Sequence, residues 1–329
     1  MEYVQIENLP QKASRIGLGT WAIGGWLWGG TDEKLSIATI LHAFDVGINL
    51  IDTAPAYGFG LSEEFCGKAL KQFGNRDKII IATKVGLSWD KQNVVRDLRK
   101  ETILKEAEDS LRRLQIDYID LYQVHWPDTL VPLSEVGEAL HSLLKSGKIR
   151  SVGVSNYTVA MIEEIKKFVP IHCVQPPFNL FEREIENDIL PYCIKQKIIT
   201  LGYGSLCRGL LSGRMKKDTK FSGDDIRKGD KKFQEPTYSH YLNAIKELNE
   251  WVESKHKRPL IALAVRWALD QGISIALCGG RSPQQLDYIP TVFGWHLSKD
   301  DMCEIDQILQ KNIAHPLGTG FTGPSYRKK

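Results

Sequence analysis

Four residues have the types and the order that proton transfer needs: Asp52, Tyr57, Lys84 and His125. Asp52 closes the apolar run Ile48-Asn49-Leu50-Ile51, Lys84 follows Ile79-Ile80-Ile81-Ala82, and His125 follows Ile119 to Val124, while Tyr57 stands in the loop past Asp52. A tyrosine in water has a pKa of about 10, too high for prompt proton exchange near neutrality. A nearby ammonium favours the phenolate and should lower that value, and a carboxylate can hold the ammonium charged and in place. Asp52, Lys84 and Tyr57 read as such a relay, with His125 hydrogen-bonding a substrate carbonyl or steering the proton. Proton donation to a carbonyl oxygen is half of a reduction. Side chains cannot supply the hydride for the other half, so a cofactor is implied. Taken singly, each residue has a plainer reading: Asp52 as a turn cap, Tyr57-Gly58 as loop filler, Lys84 as a rim residue, His125 as a satisfied core histidine. Their joint occurrence at neighbouring strand ends favours chemistry, because each is costly to bury unless paired.

The elements that would position them follow from the periodicity. Short apolar, β-branched runs recur at Ile16-Gly19, Ile48-Ile51, Ile79-Ala82, Ile119-Val124, Ser151-Val154, Cys173-Gln175, Ile198-Leu201 and Ser274-Leu277. Such runs suit strands buried on both faces. Amphipathic segments of helical period separate them, clearest at Glu101 to Leu114 and at Ser134 to Lys145, where Gly147 is placed to end the helix. Eight strands alternating with helices predict one (β/α)₈ TIM barrel spanning residues 1–329, with a doubly wound open sheet as the alternative. A helical segment from Ala262 to Leu269 precedes the last strand, and a C-terminal helix from Ser298 to Leu309 has Ser298 as its N-cap. Residues 206–238, rich in Gly, Lys and Asp, break the alternation and read as a long loop after strand seven, a candidate lid over a cofactor. In a barrel of this kind the site sits at the C-terminal ends of the strands. That places Ser155-Asn156, Gln175 and Tyr203-Gly204-Ser205 on the same rim as the first four residues.

Composition narrows the class. Of 329 residues, 42% are hydrophobic and 25% charged, as in an ordinary soluble globular protein. A formal charge of +3 with interspersed signs gives no footprint for nucleic acid or acidic membrane. No stretch approaches the roughly 20 apolar residues of a bilayer span, and the start, Met1-Glu2-Tyr3-Val4-Gln5, shows no signal-peptide pattern. The six cysteines form no Cys-x-x-Cys pair and several lie in apolar runs, so free buried thiols in the cytoplasm are expected. No metal is expected: Asp52 and His125 alone are too few for a divalent site, which counts against a metal-dependent lyase or isomerase.

At these residues the chain resembles the aldo-keto reductase superfamily. The resemblance rests on Ile51-Asp52-Thr53-Ala54-Pro55-Ala56-Tyr57-Gly58, Ala82-Thr83-Lys84-Val85-Gly86, Leu121 to Pro127, Gly147 to Asn156 and Gln175-Pro176-Pro177-Phe178-Asn179. Tyr203 to Gly213 is similar to the bacterial branch of general-stress and inositol-locus-type reductases. The resemblance covers about residues 3 to 312 and implies a (β/α)₈ barrel that uses NAD(P)H without a Rossmann domain. The chain accordingly lacks a Gly-x-Gly-x-x-Gly opening a βαβ unit.

What the resemblance implies for individual positions is specific. Asp52, Tyr57, Lys84 and His125 match the catalytic tetrad, with Tyr57 as general acid. Gly19, Thr20, Trp21 and Asp52 line the cofactor, Ser155, Asn156 and Gln175 bind the nicotinamide carboxamide, and Tyr203 stacks on its ring. Gly204, Ser205, Leu206, Arg208 and Gly209 surround the pyrophosphate, where Arg208 can pair bidentately. Gly279, Gly280, Arg281 and Gln285 hold the adenosine end, Arg281 being placed to meet a 2′-phosphate. NADPH is therefore the expected cofactor. NADH stays open, because the chain lacks the lysine and arginine of the eukaryotic pattern and has Ile289 where an adenine-contacting asparagine is common. The substrate pocket is expected to be walled by Trp21, Trp26, Trp28, Trp89 and Trp126, which suits hydrophobic or medium-sized aldehydes and some ketones. The expected partner is a small carbonyl compound, with a monomer or weak homo-oligomer as the assembly. The alternative function is an NADPH-binding regulatory subunit of the potassium-channel β-subunit type with slow turnover, for which no docking segment stands out.

Overall fold

The computed structural model describes residues 1–91, 93–320 and 323–328. Among them, eight parallel strands close into a barrel in sequential order. They are β1 (Ile16–Gly19), β2 (Leu50–Asp52), β3 (Ile80–Val85), β4 (Ile119–Val124), β5 (Ile149–Ser155), β6 (Cys173–Gln175), β7 (Ile199–Gly202) and β8 (Ile275–Gly279). The helices around it are α1 (Glu33–Asp45), α2 (Leu61–Phe73), α3 (Lys100–Leu114), α4 (Leu133–Lys145), α5 (Val159–Ile165), α6 (Ile189–Gln196), α7 (Thr237–His256), α8 (Leu260–Asp270) and α9 (Lys299–Asn312). This is the (β/α)₈ arrangement that the alternation predicts, and the open sheet is excluded because β1 pairs with both β2 and β8. Ser298 caps α9 with a reciprocal capping box through Asp301. No helix among the described residues is long and apolar enough to cross a membrane.

A strand alternates its faces with period two, and the barrel uses that alternation twice. Outward residues such as Ile51, Ile81, Tyr122 and Val154 pack beneath the helices. Inward residues Leu50, Ile80, Ala82, Leu121, Cys173, Leu201 and Ile275 fill the lower interior, closed from below by Ile6, Leu9 and Ala13 of the N-terminal segment. Continuing the same inward parity toward the C-terminal ends gives Asp52, Lys84, Gln123, Ser155 and Gln175. The apolar plug is thus replaced, two residues up each strand, by a buried polar layer.

Residues 206–238 do not form one plain loop. Short 3₁₀ turns occupy Cys207–Ser212, Ile226–Lys228 and Lys231–Phe233, and α7 has begun by Thr237. Turns this short leave no periodic signature in the sequence, because none is long enough to repeat a pattern. The middle of this segment is fastened to the loop after β1: the Asp224 carboxylate accepts from the amides of Leu27 and Gly29, each at 2.8 Å. Past β3, Leu87–Asp90 and Asn93–Arg96 form a hairpin, and the chain's tail adds Ser325–Tyr326 as a third strand beside it.

The hairpin is hooked to α3 by the buried Glu106 carboxyl, which accepts from the Gly86 amide and the Ser88 hydroxyl, both at 3.0 Å. Burial pushes that carboxyl up to about 7 despite these two donors. A carboxyl whose folded pKa exceeds its unfolded value opposes folding increasingly as pH rises between the two. Glu106→Gln should therefore stabilise the protein at about pH 8 and much less at about pH 5, read from denaturant midpoints at both pH values.

Candidate active site

The site grows from the polar layer. Lys84 projects inward from β3 and is fully buried. Its ammonium donates to Asp52 Oδ1 at 2.6 Å, to the Thr53 carbonyl at 2.9 Å and to Tyr57 Oη at 3.1 Å. These three acceptors use the three protons of an ammonium. An ammonium only donates, so Tyr57 Oη is the acceptor in that pair and its own proton is left to point elsewhere. Tyr57 reaches this position through a tight loop that requires glycine on both sides. A Cβ on Gly58 would stand 2.2 Å from the Gly24 carbonyl oxygen, and one on Gly24 would stand 2.5 Å from the Tyr57 carbonyl carbon.

Electrostatics sort the roles. Burial raises the Tyr57 phenol, and the Lys84 ammonium offsets this only in part. The lowered value expected from the Lys84 contact is thus corrected: desolvation outweighs the charge, and the phenol holds its proton through the neutral range. Burial also disfavours the Lys84 ammonium, but Asp52 and Tyr57 more than compensate, and its pKa is raised. His125 is pushed well below its ordinary value of 6.5 by burial and then by Lys84, so its imidazole is neutral. Its ring stands edge-on to Tyr57 with centroids 5.7 Å apart, and Trp21 stacks on Tyr57 at 6.1 Å.

Beside these residues lies a seat with few spare donors. Asn156 donates to the His125 carbonyl at 2.9 Å and to Ser155 Oγ at 3.0 Å, while its Oδ1 accepts from Tyr203 Oη at 3.0 Å. Ser155 Oγ donates to the Gln175 carbonyl at 2.8 Å. Gln175 spends its amide hydrogens on Asp52 Oδ2 at 2.7 Å and Gln123 Oε1 at 3.1 Å. The side-chain oxygens of Gln175 and Asn156 therefore remain as acceptors, which fits a carboxamide NH₂. Ser155, Asn156, Gln175 and Tyr203 face one cavity of about 570 Å³, and Gln123 lies behind them.

Tyr57, Asp52 and His125 line that cavity, and so do Gly19, Thr20, Trp21, Trp26, Trp28, Trp126, Ser155, Asn156, Gln175 and Tyr203. Further along its wall are Gly204, Ser205, Leu206, Arg208, Gly209, Gly279, Gly280, Arg281 and Gln285. Lys84 lies under the floor. Trp89 is not on the wall: it sits out on the hairpin with its ring 5.9 Å from that of Phe59. Two arginines also depart from the sequence reading. One nitrogen of the Arg208 guanidinium, Nη2, pairs with Glu182 at 3.0 Å and with Asp230 at 2.6 Å, so part of its fork is already committed to carboxylates at the cavity wall. Arg281 donates to the carbonyls of Trp28 at 2.8 Å and Gly30 at 2.6 Å, fastening the loop after β1 from the side opposite Asp224. Sequence reading missed Gln123 and also Arg214 and Arg227, which line the cavity. Arg214 is exposed, with no side-chain partner among the described residues, and supplies a cation suited to a phosphate. Its only sequence signal is its place directly after the Tyr203–Gly213 motif. The donor and acceptor set thus fits a dinucleotide lying from the seat beside Tyr57 toward Arg214.

Comparison with known proteins agrees. The model of the Aldo/keto reductase family matches residues 15–310. The chain belongs to the aldo/keto reductase family. This aldo/keto reductase is 51% identical to Aldo-keto reductase YhdN of Bacillus subtilis (strain 168) over 330 residues, covering 100% of both chains. It is 34% identical over 335 residues to the NADH-specific methylglyoxal reductase of Escherichia coli (strain K12), covering 96% of this chain and 99% of that one. The solved structure of the glycerol dehydrogenase AKR11B4 from Gluconobacter oxydans matches with a TM-score of 0.89 at 47% identity, covering 98% of this chain and 99% of that one. The chain is accordingly an oxidoreductase of carbonyl substrates from a family that uses nicotinamide cofactors.

Burial and the Lys84 charge hold the His125 imidazole well below its ordinary 6.5. The rate of carbonyl reduction, followed from pH 5.5 to 9, should show no inflection near 6.5; a break there that His125→Gln removes would contradict this assignment.

Proposed function

We propose that this enzyme reduces aldehydes and some ketones to alcohols with NADPH, NADH also being accepted, and that Tyr57 is the proton donor. The observation that carries the reading is the direction of the hydrogen bonds at Tyr57. Lys84 occupies an acceptor site on Oη, so the phenolic proton is available to the cavity. A substrate carbonyl oxygen within reach of Oη would also meet His125, whose neutral imidazole can donate an N–H to it. A bound nicotinamide would supply the hydride that no side chain can. As charge grows on the carbonyl oxygen, Tyr57 gives up its proton and becomes a phenolate. The Lys84 ammonium, already 3.1 Å from Oη, stabilises that phenolate without reorganising. Asp52 keeps Lys84 in place and charged.

Gln175 and Asn156 would hold the carboxamide, Tyr203 the ring, and the turn from Gly204 to Gly209 with Arg214 the phosphates. Preference for NADPH rests on Arg281 and Arg214, while Arg227 on the same wall is held by the Asp225 carboxylate at 2.6 Å. Arg281 would have to exchange the Trp28 or Gly30 carbonyl for a 2′-phosphate, which sets a modest preference rather than an absolute one. The aromatic walls fit apolar aldehydes, and the relatives named for methylglyoxal and glycerol argue for including small oxygenated compounds. The fastening of residues 224–226 to the loop after β1 supports a lid role for this segment.

In an assay of aromatic and small oxygenated aldehydes with NADPH and with NADH, wild type should turn over with both and faster with NADPH. Tyr57→Phe should lose on the order of 10²- to 10⁴-fold in kcat while still binding the cofactor. Activity in Tyr57→Phe equal to wild type would remove the proposed donor.

A further inference from the structure

One fully buried polar side chain of the inward layer neither faces the cavity nor touches Tyr57. Gln123 follows Leu121 in the same parity on β4, where another leucine would extend the apolar plug at no polar cost. Burying an amide costs free energy unless its hydrogen bonds are made, so its presence needs a reason. The fold also makes room for it. In the barrel register Gln123 lies between Lys84 on β3 and Gly153 on β5, and a Cβ on Gly153 would come within 2.9 Å of Gln123 Cγ.

The hydrogen bonds supply the reason. Asp52 has two carboxylate oxygens, and Lys84 holds Oδ1. Oδ2 receives Gln123 Nε2 at 3.1 Å and Gln175 Nε2 at 2.7 Å. A carboxylate only accepts, so both amide nitrogens must face it, and this settles which way each amide points. The second hydrogen of Gln175 then goes to Gln123 Oε1 at 3.1 Å, closing a triangle of three side chains from β2, β4 and β6. Without Gln123 the Gln175 amide would keep one anchor on Asp52 and could rotate. The Asp52 carboxylate would lose one of its donors.

We propose that Gln123 is a positioning residue that locks Asp52 and Gln175 together, tying the seat of the nicotinamide carboxamide to the Asp52–Lys84–Tyr57 proton relay. The inference rests on the reductase reading given above. Through this triangle a cofactor seated on Gln175 Oε1 is held in fixed register with the proton donor, so hydride and proton reach the same carbonyl. Gln123 touches no reacting atom and acts only through its two partners.

The test compares Gln123→Leu and Gln123→Glu with wild type and Tyr57→Phe. A protonated glutamic acid copies the amide, with O–H to Asp52 Oδ2 and C=O toward the Gln175 amide. An ionised one places a second negative charge beside Asp52. The groups that would face the new carboxyl are Asp52 and Lys84 directly, Tyr57 and His125 beyond Lys84, and the Cys173 thiol across Gly153. Gln123→Leu should lower kcat about tenfold across the pH range, leave the carbonyl KM within about twofold, and weaken NADPH binding about fivefold by tryptophan-fluorescence quenching. Gln123→Glu should be near wild type at about pH 5 and should lose both activity and cofactor affinity as pH rises, a trend that a purely structural role would not produce. Thermal unfolding run alongside separates misfolding from mispositioning, and the low-pH recovery of Gln123→Glu reads the role even if the leucine variant is unstable. Wild-type kcat, pH profile and cofactor affinity in both variants would overturn the inference and leave the reductase reading standing. If wild type binds the cofactor but reduces no carbonyl, the reductase reading falls. The fluorescence titration then decides for Gln123 by itself, an unchanged affinity in Gln123→Leu counting against it.

Discussion

The site depends on keeping an ammonium charged where no solvent reaches it. Lys84 is fully buried, and an uncompensated charge there would cost several kcal/mol. The fold meets that cost with one carboxylate, one backbone carbonyl and one phenol, all placed within 3.1 Å. Because the carboxylate must also be satisfied, two buried amides are drawn in behind it. Because the phenol must reach the ammonium, the loop after β2 has to pass so close to the loop after β1 that Gly24 and Gly58 admit no side chain. The proposed proton relay, the proposed cofactor seat and the loop geometry are thus all tied to one buried ion pair.

A second set of constraints governs the mouth. The short segment Leu27–Gly30 is gripped from two sides, by Asp224 through its amides and by Arg281 through its carbonyls. Arg227 lies over the Trp28 ring at 5.1 Å, so one segment joins the loops after β1, β7 and β8 across the cavity. On the opposite side the tail closes in: Pro324 lines the cavity, its carbonyl accepts from Arg96 at 2.8 Å, and Arg327 pairs with Asp128. A polar layer at the bottom and aromatic walls at the top, with these loops around the mouth, form a cavity in which fixed dipoles and charges act more strongly than in open water.

Much of this was legible in the sequence because it is written in local, repeated patterns. Eight apolar runs separated by helical periods imply the barrel, and the rule that such barrels work at their strand ends locates Asp52, Lys84, His125, Ser155, Asn156 and Gln175 without coordinates. What escaped is what depends on neighbours distant in sequence. Gln123 stands inside an apolar run rather than at its end, and only its shared parity with Leu121 hints that it faces inward. Arg208 and Arg281 have the right charge for phosphate, yet Glu182, Asp230 and two backbone carbonyls reach them through space. Trp89 reads as a pocket aromatic from its place in a nearby loop, but the hairpin carries it against Phe59 and off the cavity wall. The direction of the Tyr57 shift is not legible in the sequence, which shows the ammonium and not the depth of burial.

Lys84→Met tests the dependence of the chemistry on the buried ammonium, since it keeps a flexible unbranched side chain, one atom shorter, and removes the charge with its three donors. NADPH affinity by fluorescence quenching and single-turnover reduction of an aromatic aldehyde should be measured on the same preparation. The expected result is near-normal cofactor affinity with the reduction step slowed on the order of 10³-fold, because Tyr57 would have to form a phenolate with nothing to stabilise it. A variant that binds NADPH and reduces the aldehyde within a few-fold of wild type would show that the buried Asp52–Lys84 pair does not drive the chemistry.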